Sequence, residues 1–235
     1  MTINLLGQIT ICMGCITIFL AVLDSYRRTQ KALRWWYYRQ ASKLSLEAEQ
    51  IRDSLLQESF TIRRHLETLT TDNLDLSINK AQDCLVKVDN LHQSLTQLSE
   101  RLFPIYLQYS FPCAIQCLLE SWIVTYPHLR CYTDMPSLWR HETVENSLIV
   151  FTTIDELFRI SLPDVLTQIS IYITLKQHCK TRRIMVKIIY PDESTFTSHS
   201  KTAEQKHLCH SFQSLTSGKC FFESKNLSYC WYLHW

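Results

Sequence analysis

The stretch that most constrains this chain is residues 44 to 103, which has the hydrophobic spacing of two long helices. In its second half, apolar side chains recur at alternating intervals of four and three residues: Cys84, Val88, Leu91, Leu95, Leu98 and Leu102. This alternation keeps one apolar seam turned toward a partner helix in a left-handed supercoil. The first half repeats the pattern less regularly, through Leu44, Ala48, Ile51, Leu55, Ile62, Leu66 and Leu69. We therefore predict an antiparallel helical hairpin over residues 44–103.

The turn of this hairpin is predicted at Thr70-Thr71-Asp72-Asn73, whose short polar side chains end one helix and cap the next. Two such arms bury their seam poorly alone, so we expect two copies of the hairpin to form a dimeric four-helix bundle. On periodicity alone, a coiled-coil stalk with a purely structural role is the favoured interpretation.

The composition describes an ordered globular chain. Its 235 residues, of which 46% are hydrophobic and 20% charged, argue for one or two folded domains and against disorder. The formal charge of +2 gives no argument for nucleic acid as a partner. Only three glycines occur, and flexible loops that cover phosphates are usually built from glycine.

Ten cysteines and nine histidines raise the question of a metal site. Several of the cysteines lie in apolar stretches, which suits buried thiols in a reducing compartment. His207, Cys209 and His210, with His178 and Cys179, are conceivable zinc ligands. No paired C-x-x-C knuckle supports them outside the apolar N-terminal segment, so we expect no metal.

Residues 3–23 contain no charged side chain and are long enough to cross a bilayer as a helix. The residues that follow combine basic and aromatic side chains with no acidic one among them: Arg27, Arg28, Lys31, Arg34, Trp35, Trp36, Tyr37, Tyr38, Arg39 and Lys43. Basic flanks stay cytoplasmic, and aromatic rings favour the headgroup level of a membrane. The sequence therefore predicts a single-pass transmembrane anchor over residues 1–26, with the N-terminus outside, and a juxtamembrane segment over residues 27–43. The alternative is a buried core helix with a solvated basic neighbour.

Residues 104–235 carry helix and strand signals without a regular βαβ repeat. Helices are predicted over residues 112–126, 144–161 and 202–215, and strands over residues 129–133, 169–175, 183–190, 221–223 and 229–233. The polar stretch from Asp192 to Lys201 is predicted as a connection. This order indicates an α+β two-layer domain, with helices on one face of a mixed sheet.

These elements, placed after a membrane segment and a helical hairpin, resemble a sensor histidine kinase, more specifically one of the NarL/DesK class. In that class the first hairpin helix carries the motif H-D-x-L-x-Q. The matching frame here runs from Arg52 to Gln57, with arginine where the family has its phosphoacceptor histidine. A guanidinium stays protonated and has no free lone pair, so Arg52 cannot attack a phosphate. Asp53 is then expected to form an ion pair with Arg52 or with a neighbouring chain.

The C-terminal half resembles the ATP-binding domain of the same family, again with departures. Residues 152–160 match the N box, in which a Glu precedes a magnesium-binding Asn by four positions. Glu156 is present, but Ile160 stands at the Asn position and offers no oxygen to a hard cation. Asp192 is the candidate for the adenine-contacting Asp. The residues after it, where the family has glycines, are Glu193, Ser194 and Thr195. The second glycine motif, which forms the ATP lid, is missing.

The resemblance implies a histidine-kinase ATPase-like domain over residues 104–235 and a context in two-component signalling. With Arg52 and Ile160 in place, it implies a degenerate, membrane-anchored member without phosphotransfer activity or cofactor, which acts by dimerisation and protein contacts. The implied partners are a second copy, a true histidine kinase or a response regulator. One alternative is an active sensor kinase that binds ATP and magnesium through divergent motifs. A second is a membrane scaffold with no signalling role.

Overall fold

The computed structural model describes residues 2–68, 74–140, 142–163, 167–178, 181–199 and 203–235, without the side chains of residues 2–12 and 74–77. The predicted hairpin turn at residues 70–73 lies outside the described residues. The chain divides into two compact units, which are described separately. The hairpin unit is Tyr38–Tyr106, and the α/β unit combines Leu107–Trp235 with the segment up to Tyr37.

The hairpin unit consists of two helical arms. Its first arm contains the end of α1 (Thr2–Gln50), a π-helical turn (Ile51–Leu55) and α2 (Leu56–Glu67). Its second arm is α3 (Leu74–Leu102), which is followed by a 3₁₀ turn (Ile105–Gln108). The helices predicted from the heptad spacing are thus present on both sides of the turn.

The two arms pack through a narrow apolar seam. Leu55 and Ile62 of the first arm and Cys84 and Leu98 of the second are all buried. The Cys84 thiol donates to the Ile62 carbonyl oxygen at 3.9 Å. At the base of the hairpin, Arg101 of α3 donates to the Gln50 side-chain oxygen at 3.0 Å and lies 3.5 Å from the Glu47 carboxylate. These polar contacts fix the register in which the arms meet.

Half of the predicted seam of α3 stays uncovered. Val88, Leu95 and Leu102, spaced by seven residues, are 44%, 47% and 47% exposed. Side chains seven residues apart lie on nearly the same face of a helix. A single hairpin therefore leaves an apolar stripe, Val88–Leu95–Leu102, that its own first arm does not cover.

The α/β unit is built from the first part of α1, four further helices and a five-stranded sheet. Its elements after the hairpin are α4 (Phe111–Thr125), β1 (Leu129–Asp134), α5 (Val144–Ser161), β2 (Ile169–His178), β3 (Thr181–Ile189), α6 (Glu193–His199), α7 (Ala203–Thr216), β4 (Lys219–Lys225) and β5 (Ser228–His234). The predicted helices and strands are all present, and α6 is an addition within the predicted connection. The strand order is β1-β2-β3-β5-β4, in which β1 and β2 run parallel and the other neighbours antiparallel.

The sheet has one covered and one open face. Alternate side chains of its strands point into the core: Ile169, Ile171, Ile173, Leu175, Ile184, Val186, Ile188, Tyr229, Trp231 and Leu233. Buried faces of α4, α5 and α7 complete this core. The α+β two-layer architecture predicted from the order of elements is confirmed.

The transmembrane prediction is wrong. Over the described residues, no helix combines the length and the apolar character needed to cross a membrane. The predicted single-pass anchor, and the outside N-terminus inferred from it, are therefore corrected.

Two of the four aromatic residues assigned to a headgroup layer lie against protein, whereas Tyr37 and Tyr38 are exposed. Trp35 and Trp36 pack against the core of the α/β unit. Ala32 is fully buried, and the Ser211 hydroxyl of α7 donates to its carbonyl oxygen at 2.9 Å. This part of α1 is thus held by protein contacts, which explains why small and aromatic side chains alternate with basic ones.

Candidate nucleotide site

The helix α5 carries the residues that match the N box. Its Asp155 is buried and accepts from the Trp122 indole nitrogen at 3.1 Å and from Arg159 at 3.2 Å. Glu156, the residue shared with the family, is also buried. The acidic pair at the centre of α5 is therefore enclosed by protein, and Asp155 is held by two donors from α4 and α5.

Ile160 lies one turn after Glu156 and belongs to the hydrophobic core. An aliphatic side chain supplies no lone pair, whereas Mg²⁺ requires oxygen ligands in octahedral geometry. Further along the chain, Pro163 is buried and Asp164 lies outside the described residues. Ile160 is thus used for packing.

Asp192 directly precedes α6 and caps it. One carboxylate oxygen accepts from the Thr195 backbone nitrogen at 2.8 Å and from the Ser194 hydroxyl at 2.6 Å. The other accepts from the Thr195 hydroxyl at 3.0 Å. These hydrogen bonds, with that of Ser194 the strongest, lower the pKa of the Asp192 carboxyl. Three of the roughly four acceptor positions of this carboxylate are thus used within the chain.

An aromatic cluster fills the space between α6 and the sheet. The Tyr190 hydroxyl donates to the Ser161 carbonyl oxygen at 2.9 Å, which ties the end of β3 to the end of α5. Phe196 of α6 lies edge-on to the Tyr190 ring at 5.8 Å and 6.3 Å from the Tyr229 ring. Burial raises the pKa of Tyr190. The space between α6 and this edge of the sheet is thus occupied by the chain's own rings.

The connection between β3 and α7 is short. It comprises residues 190–202, of which residues 193–199 form α6. Ser194 and Thr195 stand where the family has glycines, and their side chains bond Asp192. Gly218 lies directly before β4, where a Cβ atom would collide with the His234 carbonyl oxygen. It therefore serves a turn and has no place at this site.

The residues of the phosphoacceptor frame lie in the hairpin unit. Arg52 and Asp53 fall within the π-helical turn Ile51–Leu55, and both are exposed, as is Gln57. Over the described residues, no ion pair joins Asp53 to Arg52 or to another side chain. His65 is half-buried, and its ring Nδ1 lies 3.3 Å from Lys87 Nζ of the opposite arm.

The conceivable zinc ligands are engaged elsewhere. The His207 ring lies 6.0 Å from the Trp35 ring, and the Cys209 thiol donates to the Cys220 carbonyl oxygen at 2.8 Å. Cys179 lies outside the described residues. In the described part of the chain, no three His, Cys, Asp or Glu side chains form a group that could hold a metal ion.

The sequence named Glu156, Ile160 and Asp192 as candidate site residues but did not indicate which side chains lie around them. Trp122, Tyr190 and Phe196 were not identified as parts of the site. The capping role of Asp192 had a signal in the sequence, because an Asp before a Ser-Thr pair is a common helix start. The aromatic cluster had none, since its members are far apart in the chain.

Several solved bacterial histidine kinases are similar to this chain in structure. Histidine kinase AdeS of Acinetobacter baumannii has a TM-score of 0.38 and 12% identity, over 77% of this chain and 95% of its own. A histidine kinase from Burkholderia phymatum has a TM-score of 0.41 and 11% identity, over 76% of this chain and 94% of its own. Histidine kinase ThkA, solved in complex with the response regulator protein TrrA, has a TM-score of 0.42 and 15% identity, over 89% of this chain and 65% of its own.

At such TM-scores and identities, these likenesses carry no argument about function. No protein-family model matches the sequence, and a search of curated proteins finds no match.

Proposed function

We propose that this chain is a catalytically degenerate, histidine-kinase-like protein of two-component signalling that acts through dimerisation and protein contacts. The observation that carries the proposal is that the Asp192 carboxylate is hydrogen-bonded within the chain. Its carboxylate accepts three hydrogen bonds from Ser194 and Thr195 at the start of α6, and Phe196 of the same helix packs over the adjoining edge of the sheet. A nucleotide would have to displace both the cap and the ring.

Two further positions support the loss of phosphotransfer. Kinases need a metal ion that neutralises phosphate charge and a nucleophile in line with the γ-phosphate. Ile160 offers the metal no ligand, and Arg52 offers the phosphate no lone pair. The Asp155 carboxylate of the same helix as Ile160 is already held by Trp122 and Arg159.

The surface left for a signalling role is the uncovered stripe Val88–Leu95–Leu102. Three apolar side chains at heptad spacing are the pattern by which helical hairpins assemble into four-helix bundles. The same surface suits a second copy of this chain or the hairpin of a true histidine kinase. A response regulator that docks on the hairpin is the remaining partner of this proposal.

Nucleotide binding tests the catalytic part of the proposal. The full chain is titrated with ATP by calorimetry, with and without Mg²⁺, beside an active histidine kinase as control. We expect no saturable binding to this chain and magnesium-dependent binding to the control. Magnesium-dependent binding to this chain, or acid-labile phosphate on it after incubation with labelled ATP, would show an active kinase with divergent motifs.

Self-association tests the contact part of the proposal. We expect the unchanged chain to sediment as a dimer and the triple variant Val88→Ser, Leu95→Ser, Leu102→Ser to sediment as a monomer. Val86→Ser is the matched control, because Val86 is exposed on the opposite face of α3 and its replacement should leave the dimer intact. A dimer that survives the triple variant would contradict this use of the stripe.

A further inference from the structure

The open face of the sheet carries a row of basic side chains, one from each of four neighbouring strands. Lys176 of β2 pairs in register with Arg183 of β3, Arg183 pairs with His234 of β5, and His234 pairs with Lys219 of β4. With neighbouring strands about 4.8 Å apart, the four Cα positions span roughly 14 Å. We refer to Lys176, Arg183, His234 and Lys219 as the basic row.

The cations of this row are not neutralised within the chain. Lys176, Arg183 and Lys219 are exposed, and none has a carboxylate within salt-bridge distance in the described part of the chain. Burial lowers the pKa of His234, and the positive charges of Arg183 and Lys219, which flank it on the neighbouring strands, lower this pKa further. Like charges held side by side across strands destabilise a sheet, so their retention requires another reason.

Positive charge is concentrated on the whole open face. Its lysines and arginines are Arg130, Lys176, Arg183, Lys187, Lys219 and Lys225. Its two carboxylates, Asp134 and Glu223, lie on the outer strands β1 and β4 and outside the basic row. Since the whole chain carries a formal charge of only +2, this face is far more positive than the rest.

Aromatic rings lie in the rows beside the basic one. Tyr232 and Phe221 form the adjacent row with Met185, and their rings stack at 4.9 Å. Tyr132 and Tyr172 stack at 4.6 Å in the next row. Phe221 is 43% exposed and Tyr132 46%. Rings this exposed add little to the core and leave π-surface open to a ligand.

We propose that this open face binds single-stranded nucleic acid, with phosphates along the basic row and bases against the Tyr232–Phe221 pair. A positively charged track beside aromatic rings is the combination by which proteins bind single strands without sequence preference. Aromatic side chains on a sheet face stack RNA bases in the same manner in a common RNA-binding module. An acidic peptide would use the basic row but would give the rings no role, so the combination favours nucleic acid.

Fluorescence anisotropy of the full chain tests this proposal. The probes are a labelled oligothymidylate of about 12 nucleotides, an abasic oligomer of equal length and a labelled polyglutamate peptide. We expect the oligothymidylate to bind more tightly than either of the others. The double variant R183E/K219E should weaken its binding about tenfold or more and reduce the slope of log affinity against log salt by about 1.4, because each phosphate contact to a single strand contributes about 0.7.

Matched variants separate charge from stacking. Lys206→Glu changes an exposed cation on α7, in the layer that covers the other face of the sheet, and should leave binding unchanged. Phe221→Ala should weaken oligothymidylate binding about tenfold and leave abasic binding unchanged, while Tyr109→Ala, a change at an exposed ring elsewhere, should affect neither. If R183E/K219E fails to fold by circular dichroism, R183Q/K219Q replaces it.

Three results would overturn the proposal. The first is the absence of oligothymidylate binding at low salt. The second is binding that R183E/K219E leaves unchanged, which would place the site elsewhere. The third is tighter binding of polyglutamate than of oligothymidylate, which would assign the face to an acidic protein.

Discussion

At the scale of single residues, the chemistry of this chain is decided by what each polar group already binds. Asp192 has a carboxylate at the expected place, but Ser194 and Thr195 hold it as the cap of α6. Asp155 is likewise held by Trp122 and Arg159. Both carboxylates contribute to local structure, because these hydrogen bonds are made within the chain.

The capping role of Asp192 predicts a measurable acidity. Its pKa lies below the ordinary aspartate value because the hydrogen bonds from Ser194 and Thr195 favour the charged form. We expect Ser194→Ala to raise this pKa, as followed by NMR titration of the carboxyl carbon. Since the depressed pKa belongs to the folded state, the contribution to stability is present above the unfolded-state pKa and is lost as pH falls through the folded one.

A matched substitution shows whether the acidity comes from the cap. Ser198→Ala removes a hydroxyl that donates to the Ser194 carbonyl oxygen in the same helix and does not contact Asp192. The pKa of Asp192 should not respond to it. An equal response to both variants would mean that the helix as a whole, and not the Ser194 hydroxyl, sets the acidity.

His234 gives a second titration, in which the folded state favours the neutral form of the side chain. Burial and then the charges of Arg183 and Lys219 lower its pKa below the ordinary histidine value. The unfolded chain therefore takes up this proton at higher pH than the folded one, and stability falls as pH drops through about 6.5. We expect Arg183→Gln to raise the pKa of His234 in an NMR titration of the ring protons. A pKa that stays fixed would show that burial alone is responsible.

At the scale of elements, the two stripes of α3 differ in what they stabilise. Leu98 is buried against the first arm, whereas Leu95 is 47% exposed only three residues away. We expect Leu98→Ala to lower the free energy of unfolding of the hairpin unit by about 2–5 kcal/mol, because it leaves a cavity between the arms. Denaturant unfolding, followed by circular dichroism at a protein concentration low enough for monomers, measures this.

Leu95→Ala is the control for that measurement. In the monomer it should change the unfolding free energy far less, because its side chain is already half in water. Equal losses for both variants would mean that both stripes are covered within one chain, which contradicts the exposed fractions described above.

The elements also show how much of the fold could be predicted from the sequence. Periodicity predicted α5 at its observed bounds and α4, α7 and the strands within a few residues, because each buries one regular face. It missed α6, since its seven residues bury no face of their own and the helix depends on the Asp192 cap. It also predicted a membrane span over residues 3–23 from the absence of charged side chains, whereas no helix among the described residues is long and apolar enough for one.

The basic row could not be predicted from the sequence alone. Its four members come from four strands, and only the registers of β2 with β3, β3 with β5 and β4 with β5 align them. A formal charge of +2, averaged over 235 residues, conceals such a row. Net charge therefore does not indicate how charge is distributed among the faces of the molecule.

At the scale of the whole molecule, the two units have separate cores. The seam of Leu55, Ile62, Cys84 and Leu98 shares no member with the core of the α/β unit. We expect two transitions in calorimetric unfolding, and Leu98→Ala should lower the midpoint of only one of them. A single transition that moves as a whole with this substitution would show that the units unfold together.

The π-helical turn Ile51–Leu55 has a consequence for any later comparison of sequences. A π-turn accommodates one residue more than an α-turn, and one residue corresponds to about 100° of rotation. Heptad positions counted from α1 therefore go out of phase with those counted from α2. A relative that lacks a residue here would require a one-residue gap in the alignment, and the direction of the Arg52 side chain cannot be read by counting from either flank.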